Sequence, residues 1–106
     1  MKIIKRNGSE VAFDITKILK AITKANETVE EEIRMTPMQI RRIAESVELA
    51  CQKMNRAPTV EEIQDLVENQ IMAHGAFEVA KRYITYRYTR SLVRKSNTTD
   101  DKILSL

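Results

Sequence analysis

The sequence predicts a mainly helical α+β domain, a bundle of four helices capped by an N-terminal β-hairpin or small β-sheet. Three observations predict it. Asn7-Gly8 lies between two short apolar runs near the start of the chain, the pattern of a hairpin. Helix start signals recur at Asp14, at Thr36-Pro37 and at Thr59-Val60-Glu61-Glu62. Apolar residues then repeat at three- and four-residue intervals. With 106 residues, 42% of them hydrophobic and 31% charged, the chain has ordinary globular composition and enough length for a single core.

The hairpin is expected from Ile3-Ile4-Lys5 and Val11-Ala12-Phe13, joined by a two-residue turn in which Asn7 and Gly8 tolerate positive φ angles. A lone hairpin is marginal in water, so it must lie on the helices and bury Ile4, Val11 or Phe13 there. Asp14 caps a first helix whose Ile15, Ile18, Leu19, Ile22 and Ala25 follow helical spacing up to about Asn26. Glu27 to Glu32 reads as an acidic loop. Thr36-Pro37 opens a second helix over roughly 37–54, with Ile40, Ile43, Ala44, Val47, Cys51 and Met54 on one face. Thr59 to Glu62 has the form of a capping box opening a third helix, with Ile63, Leu66, Val67 and Ile71 inward and Gly75 as its stop. A fourth helix starts near Ala76 and runs to about Lys95, carrying Phe77, Ala80, Tyr83, Ile84, Tyr88 and Leu92 with basic residues between them.

Composition excludes several kinds of chemistry. One cysteine, Cys51, cannot form an internal disulfide, and one histidine, His74, leaves too few soft ligands for zinc. Cys51 falls on the apolar stripe of the second helix and is expected buried and inert. Neither a nucleophile beside a base nor a set-apart carboxylate pair stands out, so no catalytic residue and no metal site is expected. Two glycines cannot build a P-loop or a dinucleotide fingerprint. No stretch approaches the ~18 apolar residues of a membrane span, and Met1 to Arg6 turns polar too early for a secretory signal, so a cytoplasmic chain is expected.

Charge is unevenly spread. The net charge is +3, yet residues 79–99 carry Lys81, Arg82, Arg87, Arg90, Arg94 and Lys95 without one acid. Acids gather at Glu27 and Glu30 to Glu32, and again at Glu61, Glu62, Asp65 and Glu68. Either these are solvated, self-complementary faces, or some of the cations serve an anion. For an anion the candidates are Lys5, Arg6, Lys17, Arg87 and Arg90. Consecutive on a strand, Lys5 and Arg6 point to opposite faces, so one ligand meets both only at the hairpin's edge or turn. Hairpin and first helix could then enclose an apolar slot with a cationic mouth, which suits a nucleotide.

The run Ile3-Ile4-Lys5-Arg6-Asn7-Gly8-Ser9-Glu10-Val11-Ala12-Phe13-Asp14, with Lys17-Ile18, closely resembles the opening of the ATP-cone family. Its pattern is V-x-K-R-D/N-G followed by a D-x-x-K-I helix start. Three further segments agree in order: Thr59 to Glu68, Phe77 to Ile84, and Tyr86-Arg87-Tyr88. The resemblance covers about residues 2–95, so 1–95 is expected to be one domain and 96–106 a linker toward a catalytic domain. Tyr86 to Asp100 resembles, more narrowly, the anaerobic class III ribonucleoside-triphosphate reductases.

The resemblance implies an allosteric domain with ATP or dATP, accompanied by Mg2+, as effector beneath the hairpin. Reductase catalysis would belong to the parent, and the implied partners are the adenine nucleotide, the parent's catalytic domain and other copies in a homo-oligomer. By the same resemblance Ile3 lines the base, Lys5 and Arg6 meet phosphates with Asn7 beside them, and Lys17 contacts phosphate or ribose. Gln64 matches a position near the nucleotide. Val11 departs from the polar or acidic residue that many members carry on the second strand. The last helix supplies a phosphate cation; Arg87 and Arg90 both fit, with Arg90 nearer the helix end expected to face the hairpin. One rival is a cone attached to a zinc-ribbon transcriptional repressor, against which the lack of a Cys-x-x-Cys pair argues. Another is a nucleic-acid-binding module that uses the basic fourth helix.

Overall fold

Lys2–Ile4 (β1) and Glu10–Ala12 (β2) pair antiparallel, with Ile3 opposite Val11, each strand one residue earlier than expected. This is a computed structural model in which residues 1–89 are described. Arg90 and the expected linker lie outside the described residues.

The turn differs from expectation. Lys5 N donates to Ser9 O at 2.8 Å and Gly8 N donates to Lys5 O at 2.9 Å, leaving Arg6, Asn7 and Gly8 as a three-residue loop. Gly8 has φ +85°, while no non-glycine residue among those described has a positive φ. A β-turn centred on Arg6 and Asn7, followed by one left-handed glycine, reverses the chain without placing a side-chain-bearing residue in the left-handed region. Asn7 instead accepts from Ser9 N at 3.0 Å and Ser9 Oγ at 2.6 Å. Strand alternation therefore does not govern Lys5 and Arg6, because β1 ends at Ile4.

The first three helices start where their caps predict. Ile15–Glu27 (α1) begins behind Asp14, whose carboxylate accepts from Thr16 N at 3.0 Å. The Thr16 hydroxyl, then the Thr16 N–H, hold the Asp14 carboxyl below its ordinary value. Pro37–Gln52 (α2) and Val60–Ala73 (α3) both open with complete capping boxes, Thr36 with Gln39 and Thr59 with Glu62. The acidic segment is only partly a loop: Glu27 closes α1, and Glu31–Ile33 winds into a short 3-10 turn. After Gly75, at φ +78°, a fourth helix (α4) occupies 77–89 of the described residues.

Ile22, Ile43, Val47, Val67, Ile71 and Val79 are fully buried and form the centre of the core with Ala80 and Tyr83. On α4 the buried side is thus Val79, Ala80 and Tyr83, whereas Phe77, Ile84 and Tyr88 are exposed. Both sets have helical spacing, so periodicity alone could not choose between them, and the bulkier set is the outer one. The hairpin docks on the α2–α3 connection: Ile4 N donates to Pro58 O at 2.9 Å, a parallel bridge to Thr59. Ile3 and Phe13 pack against the core. This docking carries the hairpin turn to the start of α3.

Candidate functional site

Glu61, Gln64, Asp65 and Glu68 stand at i, i+3, i+4 and i+7 of α3 and share one face. Two arginines distant in sequence reach that face. Arg6 Nε lies 2.8 Å from Glu61 Oε1, brought there by the turn beside the α3 cap. Arg87, on α4, places Nη1 at 2.8 Å from Asp65 Oδ1 and 2.5 Å from Glu68 Oε1. Its side chain is only 21% exposed. Burial alone would pull the Arg87 guanidinium down; the hydrogen bonds it donates to Asp65 and Glu68 outweigh this and hold it above its ordinary value.

Arg6, Glu68, Ile84, Arg87 and Tyr88 line one cavity of about 230 Å³. Small-molecule pockets run to roughly 300–1,000 Å³, so this space suits part of a nucleotide. Gln64 adds a second feature on the same α3 face: its Oε1 is buried and has no hydrogen-bond partner. Such an acceptor costs about 1–3 kcal/mol until a donor reaches it.

The expected site residues are brought together only in part. Arg6 and Arg87 meet at the cavity and Gln64 shares the α3 face they address. Ile3 is half-buried against the core, and Lys5, Asn7 and Lys17 are exposed and outside the cavity lining. Arg90 lies outside the described residues. Glu61, Asp65 and Glu68, which pair with Arg6 and Arg87, are not among the expected site residues; the sequence leaves them as an acidic cluster of a solvated, self-complementary surface or as partners of anion-directed cations. The one-face spacing of these acids on α3, set against the acid-free run of residues 79–99, was the available signal. Cys51 is buried as expected, at 2% exposure, and desolvation first, then Glu62 and Glu48, push its thiol up. Among the described residues no group of three acidic, histidine or cysteine side chains could hold a metal ion, and no helix is long and apolar enough to cross a membrane.

The family model of the ATP cone domain matches residues 1–92. The chain belongs to the ATP-cone family. It is therefore a nucleotide-binding regulatory domain, and cones of this kind bind ATP or dATP as effectors. The cone is 34% identical, over 94% of its length, to a ribonucleoside-diphosphate reductase subunit alpha of Chlamydia trachomatis. It is 36% identical over 89% of its length to a vitamin B12-dependent ribonucleoside-diphosphate reductase of Thermoplasma acidophilum. It is 33% identical over 91% of its length to an anaerobic ribonucleoside-triphosphate reductase of Haemophilus influenzae. The cone spans 10%, 12% and 13% of those relatives respectively. The anaerobic reductases are thus represented beside two other kinds.

Proposed function

We propose that this cone senses ATP or dATP and sets the activity of a cytoplasmic ribonucleotide reductase of the anaerobic class. The observation that carries the reading is the convergence of Arg6 and Arg87 on one cavity, with the unpartnered Gln64 acceptor on the same α3 face. Two guanidinium groups meet the β- and γ-phosphates in the fork geometry that favours Arg over Lys. Lys5, Asn7 and Lys17 complete the phosphate and ribose contacts from the hairpin and α1, Ile3 lines the base, and Arg90, outside the described residues, is a further candidate phosphate cation. Magnesium arriving with the nucleotide would neutralise part of the phosphate charge. The class assignment rests on the likeness of Tyr86 to Asp100 to anaerobic reductases. Energy for regulation comes from differential binding, the nucleotide favouring one arrangement of cone, catalytic domain and neighbouring copies over another.

Calorimetric titration with ATP, dATP, GTP and CTP tests this reading. Adenine nucleotides should bind in the low-micromolar range or tighter, about 7 to 9 kcal/mol, with GTP and CTP much weaker. Arg6→Ala and Arg87→Ala should each lose ~1 to 3 kcal/mol of triphosphate affinity. Equal affinity for all four nucleotides refutes an adenine slot, and unchanged affinity in both variants refutes the phosphate site.

A further inference from the structure

We propose that Asp65 and Glu68 are internal competitors for the nucleotide's phosphates, holding Arg87 in the unliganded cone and so setting the affinity at which a triphosphate displaces them. The proposal rests on the phosphate role of Arg6 and Arg87 given above. Both carboxylates hydrogen-bond the same nitrogen, Arg87 Nη1, at 2.8 and 2.5 Å, so their contacting oxygens lie at most 5.3 Å from each other. Two like charges at that separation repel, which is more than a single structural ion pair between α3 and α4 requires. Among the described residues, Glu61 pairs with Arg6 as Asp65 and Glu68 pair with Arg87, three carboxylates on one α3 face against two guanidinium groups. The α3 face beside Arg6 and Arg87 is therefore acidic before any ligand arrives.

A triphosphate brings several more negative charges into this space and uses the same donor geometry on Arg87. Where a phosphate takes the two Nη1 N–H groups that the acids hold, binding exchanges carboxylate for phosphate. Glu68, 17% exposed in its side chain, lines the cavity itself, whereas Asp65, 63% exposed, swings into solvent at little cost. The affinity of the site is then the strength of Arg–phosphate contacts less that of the Arg–carboxylate contacts they replace. An acidic face on α3 thereby raises the nucleotide concentration at which the cone responds.

The test uses Asp65→Asn and Glu68→Gln in the 106-residue chain, titrated with ATP, with inorganic tripolyphosphate and with AMP, each with and without magnesium. Both substitutions keep size and an acceptor oxygen for Arg87 while removing the charge. ATP and tripolyphosphate should bind about three- to tenfold tighter to either variant, with AMP unchanged because it does not reach Arg87. Unchanged or weaker triphosphate binding overturns the proposal, as does an equal gain for AMP, which signifies a diffuse charge effect. Weakening confined to the magnesium titrations also overturns it and makes the carboxylates metal ligands. Should Glu68→Gln fail to fold, Asp65→Asn decides alone, its carboxylate being largely exposed. Absence of ATP binding by the unaltered chain refutes the underlying site instead, and full affinity in Arg87→Ala removes Arg87 from it; both are seen before the carboxylate variants are compared.

Discussion

Asn26, 7% exposed, is a polar side chain buried with the core, and it works as a piece of backbone would. Its Nδ2 donates to Met35 O at 3.0 Å and its Oδ1 accepts from Met35 N at 2.7 Å. One side chain thus satisfies both main-chain groups of a residue nine positions on, closing the acidic segment between α1 and α2. Sequence reasoning saw Asn26 only as a helix end, because nothing local announces a partner nine residues away. Asn26→Ala should leave the Met35 N–H and C=O unpaired and cost about 2 to 3 kcal/mol in urea unfolding. A loss below about 0.5 kcal/mol would mean that water replaces the amide and that the loop is held by Val29 and Met35 alone.

At the scale of elements α3 organises the molecule, since its cap docks the hairpin and its acidic face receives both arginines. Glu62 secures the start of that helix. Its Oε1 accepts from Thr59 N at 3.0 Å, and both Arg56 terminal nitrogens bond its carboxylate. The Arg56 hydrogen bonds first, then the Thr59 N–H, bring the Glu62 carboxyl from 4.5 to about 2. A depressed carboxylate adds stability that is complete above its unfolded value near 4.5 and is lost as pH falls toward 2. Glu62→Gln keeps a capping acceptor, as Gln39 does in α2, but loses the charge. Thermal melts between pH 2 and 6 should therefore show a flatter acid limb for Glu62→Gln, and the difference should shrink in high salt because the pair is exposed. Parallel limbs would show that Glu62 contributes through capping geometry only. The element pattern was readable for α1 to α3 because caps and apolar stripes agree there. On α4 two stripes competed, and burial of Val79 rather than Phe77 was decided by packing.

In the whole molecule, a nucleotide bridging Arg6 and Arg87 would tie the hairpin turn to α4 across α3. Such a ligand stabilises only the folded arrangement. At about one hundred times Kd it should add about 2.7 kcal/mol, or about 10 °C or more in Tm for a domain of this size. Arg87→Ala should show a much smaller ATP-induced shift. Without ligand it should lose about 1 kcal/mol, because Arg87 also links α4 to α3. Melts with and without ATP measure both quantities, and an undiminished shift in Arg87→Ala would remove Arg87 from the site.

Short runs of residues already specified the caps at Asp14, Thr36 and Thr59, the left-handed glycines, the buried cysteine and the ATP-cone resemblance, because each depends on chemistry within a few positions. Candidate cations were visible in the same way, as residue types at certain spacings. Their meeting was not. Arg6, Glu61 to Glu68 and Arg87 are separated by tens of residues, and only the docking of β1 on Pro58 and the return of α4 bring them to one cavity. The acidic cluster therefore proves to be a set of ion-pair partners for Arg6 and Arg87. Charge at one position gains meaning from the charge opposite it, and the opposite side is supplied by tertiary packing, which local sequence does not encode.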